Sequence, residues 1–235
     1  MKINCVWEHN GNDSILYADS YAGAFTRGAS KEEAIRKMPE EIRRFRSWLG
    51  EAPPDDYEIE IVQEKSSDLQ IKDADSDVIF EAEKEPLSAE EYRYLKSLAL
   101  KSAVDLLALY DSFPDKRRTA LPSRKTFYGP VPRTAEEMYM HTKNVNEYYF
   151  SEIGVAADNE GTIVSCRARG FESLESIDGF LSLGPVTGSY GEEWSPRKVL
   201  RRFIWHDRIH AKAMYRMGIL TFGTGAIPDI FGFAR

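Results

Sequence analysis

The sequence predicts two units in tandem: a small α+β domain over residues 1–85, then an all-α four-helix up-down bundle over residues 86–235. Three observations carry this reading. Apolar residues alternate with period two in short N-terminal runs, the period changes to about 3.6 after Pro86, and Ser/Thr capping boxes recur ahead of the apolar stripes. With 235 residues, 42% hydrophobic and 29% charged, the chain is long and apolar enough to bury the cores of two small domains.

Residues 2–9, 15–18 and 22–27 read as a three-stranded start, separated by turn residues at Asn12-Asp13 and at 21–23. Ser30-Lys31-Glu32-Glu33 forms a capping box. Behind it Ala34, Ile35, Met38, Ile42, Phe45 and Leu49 recur at helical spacing until Gly50. After Pro53-Pro54, residues 57–62 alternate as a strand, and Val78-Ile79-Phe80 suggests a further short one. Residues 51–91 hold fifteen acidic side chains against Lys65, Lys72 and Lys84, which reads as a solvated face and linker.

The bundle opens with the capping box Ser88 to Glu91 and a stripe from Tyr92 through Leu98 and Leu106 to Phe113. A loop carrying Lys116, Arg117, Arg118, Arg124 and Lys125 leads to a third capping box, Thr134 to Glu137, and a helix over about 135–153. Val164, Ala168, Phe171, Leu174, Ile177 and Leu181 mark another helix, although Gly170 inside it costs about 1 kcal/mol relative to Ala. Ser195-Pro196 is an N-cap with Pro at the first helical position, and the last helix runs from there to Gly218.

Composition narrows the function. Net charge −7 disfavours a phosphate backbone, so no DNA partner is expected. No apolar run approaches the roughly 18 to 20 residues of a membrane span, and the N-terminus lacks a signal-peptide core, so no membrane and a cytoplasmic location are expected. Cys5 and Cys166 are far apart and lack zinc-thiolate spacing, which makes them packing residues. The Gly223-Thr-Gly225-Ala226 stretch lacks the third glycine and the preceding strand of a dinucleotide loop.

The histidines carry the chemistry. His206 and His210 stand at i and i+4 on the last helix, on a stripe shared with Val199, Phe203, Ala213 and Met217, so both rings are expected to point into the bundle. His141 shares a stripe with Met138, Val145 and Tyr148 and is expected to point inward too. Three imidazoles from two helices suit Zn²⁺, with Ni²⁺, Co²⁺ or Fe²⁺ also compatible; the competing reading is three hydrogen-bonded core histidines. Glu137 and Asp207 offer acceptors for ligand N–H groups, and helix phase favours Glu137. Tyr148 is a candidate for the pocket wall, with ordinary core packing as the plainer reading. Arg202, one turn before His206, is a candidate anion holder, with a solvent-facing arginine in a basic run as the plainer reading.

Residues 87–235 resemble the DinB-like superfamily of four-helix metal-binding proteins. The likeness rests on Glu-Met-Tyr-Met-His141 followed by Asn144-Val-Asn-Glu-Tyr-Tyr, and on Trp205-His206-Asp-Arg-Ile-His210-Ala-Lys-Ala-Met-Tyr. The family pattern, one histidine on the second helix and HxxxH on the fourth, implies His141, His206 and His210 as ligands of a divalent metal. It also implies a hydrolase or a transferase using a low-molecular-weight thiol, acting on a small-molecule substrate. Residues 1–62 resemble the HicB-like antitoxin fold through the stretch from Tyr21 to Gly28 and Ala34, without a DNA-reading element after it. Two functions therefore compete: a metal-dependent enzyme, and a stress-associated or regulatory protein with a structural ion whose N-terminal domain recruits a protein partner. An exposed bundle face is compatible with a homodimer.

Overall fold

The computed structural model describes residues 1–52, 56–73, 76–126 and 129–234, apart from the side chain of Lys72; the expected break at Pro53-Pro54 lies outside them. It has mixed α+β content, a four-stranded sheet with five helices. β1 (Lys2–Asn10), β2 (Asp13–Ala18) and β3 (Phe25–Gly28) form an antiparallel meander, then α1 (Lys31–Trp48) crosses over to β4 (Glu58–Ser66), which pairs parallel to β1. The order is β3-β2-β1-β4. Ser30 caps α1 by accepting from the Glu33 N–H, as its sequence pattern requires.

The sheet is buried on both faces. Ile3, Cys5, Leu16 and Ala18 meet Ala34, Met38, Ile42 and Phe45 of α1. The opposite face presents Val6, Ile15, Tyr17 and Phe25 to Ile71, Val78, Phe80 and a tryptophan from the far end of the chain, Trp205. Two strand expectations change. The third strand starts at Phe25, because Ala22 to Ala24 form a turn whose Gly23 (φ +98°) packs against Ile204. Val78 to Phe80 join no ladder: Arg201 and Gln63 side chains take the Val78 and Ile79 carbonyls, and a 3₁₀ turn, Glu81–Lys84, follows.

The remaining helices are α2 (Ala89–Asp111), α3 (Ala135–Ser151), α4 (Ile163–Glu175) and α5 (Pro196–Phe222). α2 packs on α4 and α5, and α3 packs on the same two, closing a four-helix ring. α4 is shorter than its apolar pattern suggests, since Ile177 and Leu181 fall in the turn and 3₁₀ helix beyond it. α5 runs one turn past Gly218, which is not a stop: a Cβ there would lie 2.7–2.8 Å from Ile227 and Phe113 side chains. Gly223 (φ +96°) ends the helix instead. Cys5 and Cys166 are buried and unpaired, as expected. Among the described residues, no helix is long and apolar enough to cross a membrane.

α5 is common to both halves, and the apolar core runs without a break from Ile3 to Phe233. From Lys198 to Arg208 every residue of the helix is buried. Its cations are matched by the acidic segment, which is therefore not a solvated linker throughout. Arg201 pairs with buried Glu83, Lys198 with Glu192 and the Asp77 carbonyl, and Arg197 with Glu91. Arg208 reaches Glu41 of α1 at 2.8 Å and the Gly23 carbonyl at 3.1 Å.

Candidate metal centre

Helix phase brings His206 and His210 to one side of α5, with Nε2 atoms 3.1 Å apart. The capping box at Thr134 fixes the start of α3 and so the phase that sets His141 opposite them. Its ring centroid lies 5.2 Å from that of His206 and 4.6 Å from that of His210. One ligand atom from each of the three lies within 4.8 Å of the others.

The inward expectation holds for His206 and not for His141. His206 is buried, His210 half-buried and His141 exposed, because the buried stripe of α3 is Met138, Thr142, Asn146 and Tyr149 rather than the one through His141. They meet on one side of a cleft of about 360 Å³ between the helices and the sheet unit. Arg27 of β3, Asp73, and Arg124 and Val131 of the 112–134 connection supply its other walls. Beyond Arg27, Ile209 and Ala213 the cleft opens into a groove of about 800 Å³ between α1 and α5.

Burial holds the imidazoles neutral. It lowers His141, whose ring is desolvated although the residue as a whole is accessible, lowers His210 to about 3 with help from His141, and lowers His206 well below the usual range, helped by the other two rings. Neutral imidazole is the form that ligates a metal. Only one of the two facing Nε2 atoms can carry the hydrogen between them, and the buried Nδ1 of His206 has no hydrogen-bond partner among the described residues. This donor set fits a borderline-soft divalent cation and leaves the cleft side open to a further ligand.

The other sequence candidates have different occupations. Glu137 accepts from the backbone N–H groups of Arg133 and Thr134, completing the cap of α3, and takes no part in the cleft. Asp207 faces away, in a fully buried bidentate pair with Arg167 that also accepts from Ser102. Tyr148 packs edge-on against Trp194 and Tyr190, while its neighbour Tyr149 reaches the His206 ring, at 5.9 Å. Arg202 is neither solvent-facing nor in the cleft: it is buried, donates to the Ser76 carbonyl at 2.8 Å and lies against Trp205 and Tyr149. Arg27 and Asp73 are cleft residues that sequence reasoning passed over, and Arg124 is one that it places only in the basic loop before α3. Nothing in their local pattern marks them, since they converge only when the sheet packs on α5.

Compared with known protein families, curated proteins and solved structures, the chain matches none.

Proposed function

We propose that the chain is a metal-dependent enzyme of the DinB-like kind, in which His141, His206 and His210 hold one divalent ion, zinc being the best fit. The observation that carries this reading is the convergence of three neutral imidazoles from α3 and α5 on the side of a cleft. Three protein ligands with an accessible remaining position are the pattern of a catalytic ion, whereas a structural ion is closed by four. When bound, such an ion would supply Lewis acidity and lower the pKa of a coordinated water or of the thiol that the family likeness implies.

The protein's own part is positional. α5 holds two ligands rigidly, because its neighbouring turns are locked by the Arg167–Asp207 and Arg208–Glu41 pairs. His141 stands on the more accessible side, where a substrate enters. Met138, Val131 and Ile209 give the cleft apolar walls suited to a small organic molecule.

Metal analysis of purified protein tests the reading. About one equivalent of zinc per chain is expected after equilibration and dialysis, lost in His206→Ala and in the more exposed His141→Ala, whose fold is checked by circular dichroism. Equal, negligible metal in wild type and both variants would overturn the proposal.

A further inference from the structure

Arg27 is the sheet's contribution to the wall of the cleft. It projects from β3 into the cleft that holds the histidines, half-buried, and one of its N–H groups goes to the Ile71 carbonyl. Among the described residues, no carboxylate lies within ion-pair distance of it. Arg167, Arg201 and Arg208 of α4 and α5 each have a carboxylate partner, whereas Arg202 donates to the Ser76 carbonyl and lies against aromatic rings. The second guanidinium of the cleft, Arg124, is balanced by Asp73 at 3.1 Å but keeps most of its side chain in solvent. The cleft lining carries two arginines and one carboxylate, and Asp13 and Asp73 attract Arg27 only from beyond ion-pair distance, so its remaining N–H groups can still take a closer anion.

We propose that Arg27 and Arg124 form an oxyanion subsite, which seats a carboxylate or phosphate of the substrate while the substrate's apolar body lies against Met138, Val131 and Ile209. The guanidinium fork matches the geometry of either oxyanion and binds it through charge-assisted hydrogen bonds. The subsite rests on the proposed metal reading for its catalytic meaning, because it places the reacting part of an acid next to the histidines. It also gives the N-terminal sheet a role, since β3 supplies a substrate-binding residue to a site whose metal ligands lie on helices. The arginines are not ligands of the ion, so their function can be read with and without zinc.

The test is a calorimetric titration of benzoate, phenyl phosphate and the neutral isostere benzamide into zinc-loaded and chelator-treated full-length protein. Benzoate or phenyl phosphate is expected to bind at least tenfold more tightly than benzamide. Arg124→Gln and Arg27→Gln are each expected to weaken the anion about tenfold at unchanged zinc content, with Arg27→Lys recovering part of the loss. The stronger of the two anions identifies the oxyanion preferred. Anions binding no better than benzamide, or both glutamine variants keeping wild-type affinity, would overturn the subsite. If the protein refuses zinc yet binds the anions in an arginine-dependent way, the metal reading fails and the subsite stands; zinc uptake without anion binding is the reverse result.

Discussion

Glu8 illustrates how much a single buried side chain depends on distant sequence. On β1 it reads as a polar residue of an alternating strand, yet it is fully buried, accepting from the Ser76 hydroxyl at 2.5 Å and from the Asp77 N–H at 3.0 Å. Burial is the main reason its carboxyl is pushed up to about 7, with the Asp77 carboxylate adding to the rise and the two hydrogen bonds opposing it. A carboxyl with a folded pKa above its unfolded one contributes stability below the unfolded value, near 4.5, and loses that contribution as pH rises through about 7. Urea midpoints of wild type and Glu8→Gln should therefore diverge in the variant's favour between pH 5 and pH 8. A difference between them that stays flat over this range would sink the assignment. The histidines are the opposite case: their types and spacing were readable, and only the direction of the rings was not. His141 lies off the buried stripe of α3 because the sheet unit, not the fourth helix alone, builds the other side of its surroundings.

Elements were legible where local chemistry decides them. The capping boxes at Ser88 and Thr134 and the proline after Ser195 mark the starts of α2, α3 and α5, because side-chain caps satisfy N–H groups within the same few residues. Ends and exceptions were less legible. Gly170 looks like a weak point in α4, but a Cβ there would stand 2.1 Å from the Phe150 ring, so the glycine is what allows α3 and α4 to approach. Replacing it by alanine gains about 1 kcal/mol of helix propensity and incurs about 1–3 kcal/mol of overpacking. Gly170→Ala is accordingly expected to lower the thermal midpoint; a rise would show that Phe150 has room to turn away. The missing strand at Val78 to Phe80 has the same kind of cause, since side chains of Gln63 and Arg201 occupy the carbonyls that a neighbouring strand would need.

At the scale of the whole molecule, α5 joins what the sequence divides. Trp205 fills the second face of the sheet beside Tyr17 and Phe25, and Arg201 and Arg208 make buried pairs with Glu83 and Glu41. Removing one member of such a pair leaves an uncompensated buried charge, which costs about 3–5 kcal/mol. A fragment of residues 86–235 would lose both carboxylates and the apolar surface under Trp205 together. It is expected to show reduced helical circular dichroism and no cooperative urea transition, whereas the full chain unfolds cooperatively. A fragment that melts as sharply as the full chain would instead favour two independent domains.

The sequence by itself determined where α1, α2, α3 and α5 start, the three-stranded opening, the histidine pair on one helix side and the third histidine on another, since each depends on residues within a turn or two of one another. Tertiary structure decided which charges are buried, that the histidines border a cleft instead of filling a core, and that Arg27 and Arg124 stand across from them. Those outcomes depend on contacts between residues up to 185 positions apart, such as Arg208 with Gly23. No local pattern encodes them, because a cation that pairs in the interior and one that faces water have the same side chain and the same helical spacing.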